Sequence, residues 1–244
     1  MRFVGIDLAW GGRRPSGLAV LDPHGMVVAE GWATSEDELA RFLNEHDPGG
    51  AVVALDAPLV VRNPAGTRRG CEGELQRRYG RVGAGPYPTN LSLLGGRVRA
   101  MELVRRSGRP YVTVPRDPGR RGGWWAVEVF PAPALVELGG LGRAARYKKG
   151  PVADRRAGLA VVKGVLDRLA GADPPLRLDP AGVLAREVGR LGELRGAGLK
   201  AVEDLADAHV CAYVGLWWWV HGPAATLVAG DDGTGAILVP LPPG

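Results

Sequence analysis

The sequence predicts a mixed α/β fold: a five-stranded sheet in the order β-β-β-α-β-α-β-α, with helical insertions and a closing C-terminal hairpin. Three observations predict it. Short apolar runs joined by tight turns open the chain. A capped amphipathic segment then separates them from an unbroken apolar run. Carboxylates stand at the ends of the first and fourth of these runs, at Asp7 and Asp56.

Phe3, Val4 and Ile6 make a first strand that ends at Asp7. Leu18–Leu21 makes a second, Asp22-Pro23-His24-Gly25 a turn, and Met26–Ala29 begins a third. Ser35 and Glu38 form a capping-box pattern ahead of a stripe of Leu39, Phe42 and Leu43, which predicts a helix. Ala51–Leu55 is apolar throughout, as expected of a strand buried on both faces. In a sheet where the first and fourth strands are parallel neighbours, both carboxylates meet at one sheet edge.

Residues 62–90 are rich in Arg and Gly and read as an insertion with a helix near Cys71–Tyr79. Leu91, Leu94, Val98, Met101 and Val104 have helical spacing, with Gly108 as the stop. Tyr111–Val114 and Trp125–Phe130 are further strands, separated by a basic turn over Gly119–Gly123, and Pro131 closes the second. Leu159, Val162, Leu166 and Leu169 mark a helix. Asp179-Pro180 predicts another by N-cap and N1 proline, and residues 201–220 a third. Residues 225–239 form a hairpin about Asp231-Asp232-Gly233. No repeat or linker divides the chain, so 1–244 is expected to be one elaborated domain.

With 244 residues, 45% of them hydrophobic, the chain can bury a sizeable core. Two cysteines, Cys71 and Cys211, without C-x-x-C spacing argue against a disulfide framework or a zinc ribbon. The opening residues read as a strand and not as a secretion signal, and Val210–Val220 is too short to span a bilayer. A cytoplasmic protein is expected, without a membrane partner. A net charge of +5 favours anionic partners only weakly.

Acids recur where a metal site is possible: Asp7, Asp56, Glu128, Asp204 and Asp207. On a helical wheel Asp204 and Asp207 share a face with Ala208, Cys211 and Gly215, residues small enough to let a helix lie close on a sheet. The competing account is a helix N-terminus decorated with acids to match its dipole, which suits Glu203 and Asp204 better than Asp207. Glu128 inside an apolar strand needs either a metal ion or an arginine. Oxygen-only ligands select hard cations, Mg²⁺ or Mn²⁺. Two such ions about 3.5–4 Å apart suit phosphodiester chemistry.

Arg68, Arg69, Arg77, Arg78 and Arg81, with Tyr79 and Tyr87 nearby, are either a nucleic-acid footprint or a solvated helix face. Trp217-Trp218-Trp219 cannot share one helical face, so one of them is expected to be exposed or to make a homodimer contact. His209 and His221 read as hydrogen-bonded residues before they read as ligands.

Gly5-Ile6-Asp7-Leu8-Ala9-Trp10 and Ser16–Leu21 resemble the opening of the domain-of-unknown-function family numbered 429. The resemblance extends through Leu55-Asp56-Ala57-Pro58, Arg69-x-Cys71-Glu72, Glu128–Ala132, Tyr147-Lys148 and Asp204-x-x-Asp207-Ala208, and so covers most of the chain. It implies a ribonuclease-H-like fold and a metal-dependent nuclease acting on DNA or RNA. On that reading Asp7 bridges the metals, Asp56, Asp204 and Asp207 complete the ligand set, Glu128 is a further catalytic member, and Lys148 contacts a phosphate or the attacking water. Two other functions stand against it. One is a nucleotide-binding phosphotransferase on the related actin-like fold, disfavoured by Leu8-Ala9-Trp10 where phosphate-binding Gly and Thr belong. The other is a nucleic-acid-binding module without catalysis.

Overall fold

The structure, a computed structural model, describes residues 1–9, 14–46, 49–113, 117–119 and 122–242. Trp10, Val114, and Arg120 and Arg121 of the basic turn lie outside the described residues.

Strands β1 (Arg2–Asp7), β2 (Ser16–Leu21) and β3 (Val27–Ala33) form an antiparallel meander, followed by helix α1 (Glu36–His46) and strand β4 (Ala51–Leu55). β4 lies parallel beside β1, with Ile6 opposite Leu55, and β5 (Trp124–Val129) lies parallel beside β4. The order β3-β2-β1-β4-β5 is the ribonuclease-H-like arrangement that the resemblance implied. The C-terminal hairpin, β6 (Thr226–Asp231) and β7 (Gly235–Pro240), forms as expected. It also pairs in parallel with β5 through β7, so the sheet has seven strands where the sequence predicted five.

The alternation of a strand divides its side chains between two cores. Phe3, Val52, Ala54 and Val127 face the long helix α7 (Gly196–His221), backed by α4 (Pro131–Gly139), α5 (Val152–Arg168) and α6 (Val183–Gly189). Val4, Ile6, Val53 and Leu55 face the other way, against α1 and α3 (Arg99–Arg106). Covered on both sides, β1 and β4 need no polar face, which is why Ala51–Leu55 reads as apolar throughout. A third cluster packs α2 (Gly70–Tyr79) onto the hairpin through Cys71, Leu75, Ile237 and Val239.

Helix α7 approaches the sheet closely because glycines face it. A Cβ on Gly5 would meet the Ala208 carbonyl oxygen at 1.9 Å, and one on Gly17 the Asp204 carbonyl oxygen at 2.1 Å. From the helix side, Gly215 rests against Val52 and Ala54. The small face read from the sequence is thus the face that meets the strands.

Several elements depart from expectation. The helical spacing from Leu91 yields a helix only over Arg99–Arg106, because Gly95 and Gly96 take positive φ and end any helix before it. Of Tyr111–Val114, Val112 makes a single bridge to Trp125. Pro131 does not merely end a strand; it opens α4 as an N-terminal proline. Asp179-Pro180 starts no helix: α6 begins at Val183, whose N–H, with that of Leu184, donates to the Glu30 carboxylate of β3 at 2.5 and 3.2 Å. That carboxylate supplies acceptors for orphan amides and a charge that suits the helix dipole. Glu30 also lies 3.0 Å from His209 Nε2, while His209 Nδ1 faces the Leu205 carbonyl oxygen, so His209 is a buried core residue. His221 Nε2 faces the Asp173 carbonyl oxygen.

The tryptophans differ from expectation, because each finds a partner on a neighbouring element. Trp218 packs edge-on to Trp125, Trp219 onto Phe3, and Trp217 donates its indole N–H to the Ala225 carbonyl. Trp217 and Trp218 are buried and Trp219 half-buried, so none of the three is fully exposed. Among the described residues no helix is long and apolar enough to cross a membrane.

Gly5→Ala forces α7 off β1, and an overpacked core of this kind costs roughly 1–3 kcal/mol or more. Its urea midpoint is expected to fall accordingly, while Gly171→Ala, with nothing within 4 Å of the added methyl, leaves the midpoint in place.

Candidate metal centre

Asp7 is the last residue of β1, and the Asp56 N–H donates to the Ile6 carbonyl at 2.9 Å, extending the parallel ladder by one residue. The two carboxylates therefore leave adjacent strand ends together. Helix α7 lies over the same edge, held down by Gly5 and Gly17, and adds Asp207. One oxygen from each of Asp7, Asp56 and Asp207 lies within 4.8 Å of the others. Three acids that are 49 and 151 residues apart in sequence thus share one small volume.

Basic groups surround them. Lys148 Nζ lies 2.7 Å from Asp207 Oδ2 and 3.4 Å from Asp56 Oδ2. Tyr147 donates its hydroxyl to Asp207 Oδ1 at 2.7 Å. The Tyr147-Lys148 segment is fixed from α5: Gly158 leaves room for the backbone of Arg146, and Arg155 Nε donates to the Tyr147 carbonyl at 3.2 Å. One turn back along α7, Lys200 pairs with Asp204 and lies 2.5 Å from Glu203, which Arg155 meets at 3.3 Å.

Burial and mutual repulsion act on these acids in one direction. Burial, and then Asp56, push the Asp7 carboxyl well above the usual carboxylate range. Burial chiefly raises Asp56 to about 6, against the opposing pull of Lys148. Asp204 is raised too, by burial, although Lys200 and a hydrogen bond shared with Asp7 pull it back. Burial alone would lower Lys148; Asp207, Tyr147, Asp56 and Asp7 together hold it well above its ordinary value.

The oxygens present fit a hard divalent cation. Asp7 Oδ2 is buried and has no hydrogen-bond partner among the described residues, a costly state for a carboxylate oxygen unless a cation meets it. The donor set is all oxygen, as Mg²⁺ and Mn²⁺ prefer.

Asp7, Asp56, Asp207 and Lys148 therefore come together as the sequence led one to expect. Asp204 stands beside the cluster but outside the group of three, engaged by Lys200 and Asp7. Nor are Glu203 and Asp204 helix-terminal acids: α7 starts at Gly196, five residues before the expected start, so they lie in its second and third turns.

Glu128 requires a correction. Its carboxylate takes two hydrogen bonds from Arg69, at 2.6 and 2.9 Å, and a third from the Leu59 N–H at 3.1 Å. Arg69 also donates to Glu72 at 2.8 Å, and Glu72 in turn accepts from the Arg69 and Thr89 N–H groups. The arginine account of Glu128 holds: its charge is met by Arg69 and three of its acceptor sites are taken. The same geometry removes Arg69 from the nucleic-acid surface, since it is only 5% exposed. Arg68, Arg77, Arg78 and Arg81 are exposed. Tyr79 is buried and donates to Glu137 at 2.6 Å, so it cannot stack on a base, whereas Tyr87 is exposed. Sequence reasoning missed Tyr147 as the partner of Asp207, and missed Lys200 and Arg155. Only the adjacency of Tyr147 to Lys148 pointed toward the first.

The family model described as "Protein of unknown function (DUF429)" matches residues 5–232. No curated protein and no solved structure matches the sequence.

Arg69→Ala leaves Glu72 and Glu128 buried without their cation, a change that costs about 3–5 kcal/mol. Chemical denaturation should register that loss, with part of it recovered in the Arg69→Ala, Glu128→Gln double variant. The Asp56 carboxyl, near 3.8 when unfolded and about 6 when folded, holds its proton more tightly in the folded chain. Its contribution to stability is present below about 3.8 and is lost as pH rises through about 6. In chelator-treated protein the melting temperature is expected to fall across that window, and Asp56→Asn to flatten the fall.

Proposed function

We propose that this chain, which belongs to the DUF429 family, is a metal-dependent phosphodiester hydrolase acting on DNA or RNA. The observation that carries the reading is a buried Asp7 oxygen without a hydrogen-bond partner among the described residues, in a cluster of three carboxylates of which Asp7 and Asp56 stand at the ends of parallel strands and Asp207 on α7. The ribonuclease-H-like strand order supports it by placing Asp7 and Asp56 side by side under α7.

In this reading Asp7, Asp56 and Asp207 hold the cation. Mg²⁺ or Mn²⁺ supplies Lewis-acid polarisation of the phosphodiester and acidifies the attacking water. Tyr147 fixes the orientation of Asp207 through its hydroxyl, and Lys200 holds Asp204 beside the cluster. Lys148, 34% exposed at its side chain, offers a cation to the phosphate from beside Asp207. The exposed Arg68, Arg77, Arg78 and Arg81 supply contacts to the nucleic-acid backbone. One feature favours a second reading, a nucleic-acid-binding module without hydrolysis: the Lys148 ammonium already neutralises part of the cluster.

Cleavage of labelled single- and double-stranded DNA and RNA with Mn²⁺, Mg²⁺ or chelator separates the two. Loss of an outer partner of a metal ligand costs about 10–100-fold, so loss of a ligand should cost at least about a hundredfold. Asp7→Asn and Asp207→Asn are expected to show that drop, with circular dichroism at the assay temperature showing that both variants are folded. Equal cleavage by wild type and both variants, or none by any of them with any metal, would sink the hydrolase.

A further inference from the structure

A cleft of about 560 Å³ opens beside the acid cluster, and Asp56, Tyr147 and Lys148 belong to both. Its size falls within the roughly 300–1,000 Å³ of small-molecule sites. A duplex is far too wide to enter it, since the major groove of B-DNA alone is about 12 Å across.

The lining has three parts. Its floor is the Arg69, Glu72 and Glu128 network, whose charges are met by one another. One wall is apolar, with Val129, Phe130 and Ala132. The rim is cationic, with Arg143, Arg146 and Lys149, all exposed.

The charge is unbalanced toward anions. Among the lining residues five cations, Arg69, Arg143, Arg146, Lys148 and Lys149, face three carboxylates, Asp56, Glu72 and Glu128. Arg69 already engages two of those carboxylates. Of the rim cations, Arg146 reaches Asp154 only at 3.9 Å. Lys149 meets the Tyr87 hydroxyl at 3.0 Å and lies 4.3 Å from the centre of its ring, a neutral partner. A ligand that suits this lining joins an anionic group to a flat, largely apolar body.

We infer that this cleft receives a single nucleotide unit, either a free nucleotide or the end of a single strand. Its base lies along the Phe130 wall, and its phosphate lies between the rim cations and Lys148, beside the carboxylates. The placement of the phosphate rests on the hydrolase reading of the acid cluster. The cleft makes the substrate an unpaired end and not the interior of a duplex.

Three probes test this on the full chain with Ca²⁺ at fixed salt: AMP, a 3′-labelled single-stranded decamer, and the same decamer as a blunt duplex. The single strand should bind at least about tenfold more tightly than the duplex, and Arg143→Ala and Lys149→Ala should each weaken it about tenfold. Both side chains are exposed, and unchanged melting confirms that the variants fold. Displacement of the strand by AMP identifies a free nucleotide as sufficient; binding of the strand without displacement identifies strand ends. Duplex binding as tight as single-strand binding, unchanged affinity in both variants, or binding of no probe overturns the inference. Mn²⁺-dependent hydrolysis of bis(4-nitrophenyl) phosphate, small enough to need only the acid cluster, tells the two failures apart. If the unaltered protein carries out that reaction and Asp7→Asn does not, while the cleft results are negative, the cleft inference alone falls. If it is absent while strand binding meets expectation, the hydrolase reading alone falls.

Discussion

The close seating of helix α7 on β1 and β2 governs the rest of the molecule. Helix and sheet meet there backbone against side-chain-free backbone, since Gly5 and Gly17 have no Cβ to hold the Ala208 and Asp204 carbonyls away. The contact closes the core on one face of the sheet. It also fixes the height of α7 above the strand ends, which sets how near Asp207 comes to Asp7 and Asp56. A helix displaced outward by a methyl group would carry its acid away from the other two. Packing and site are therefore one geometric fact, and the small residues on both surfaces serve both.

Electrostatics follow from that seating. Among the described residues, five carboxyl groups, Asp7, Asp56, Glu203, Asp204 and Asp207, and three basic side chains, Lys148, Arg155 and Lys200, stand around the strand ends. The excess is negative, and the pressure appears as carboxyls raised out of their usual range at Asp7, Asp56 and Asp204. Protonation relieves such pressure at low pH, and a divalent cation relieves it where the acids ionise. Lys148 gives partial relief from the α5 side, anchored by Tyr147 and by the room that Gly158 leaves.

A second buried charge network stands apart from the first in its balance. Glu128 and Glu72 share Arg69, and their remaining lone pairs take backbone N–H groups from Leu59, Arg69 and Thr89. A network satisfied this fully ties the loop after β4, the start of α2 and the segment around Thr89 to β5. It holds the floor of the cleft and leaves the outer cations to face solvent. The contrast between the two networks is that one is closed by its own arginine and backbone N–H groups, while the other leaves an orphan oxygen at Asp7.

The sequence by itself determined the succession of elements along the chain through β4, because alternation, the Asp22–Gly25 turn and the Ser35 cap are local signals read within a few residues. It also determined which α7 face is small, and that Asp7 and Asp56 stand at the ends of the first and fourth strands; that these strands are neighbours is decided by the pairing of β1 with β4. Only the tertiary structure decided whether Glu128 meets a metal or an arginine, because Arg69 lies 59 residues away and spacing carries no trace of the pairing. The same holds for the Tyr147 hydroxyl on Asp207 and for the Glu30 cap of α6, contacts across 60 and 153 residues. The three adjacent tryptophans show the limit from the other side. A wheel shows that they diverge, but the number of neighbours enclosing a helix is a property of the assembled fold.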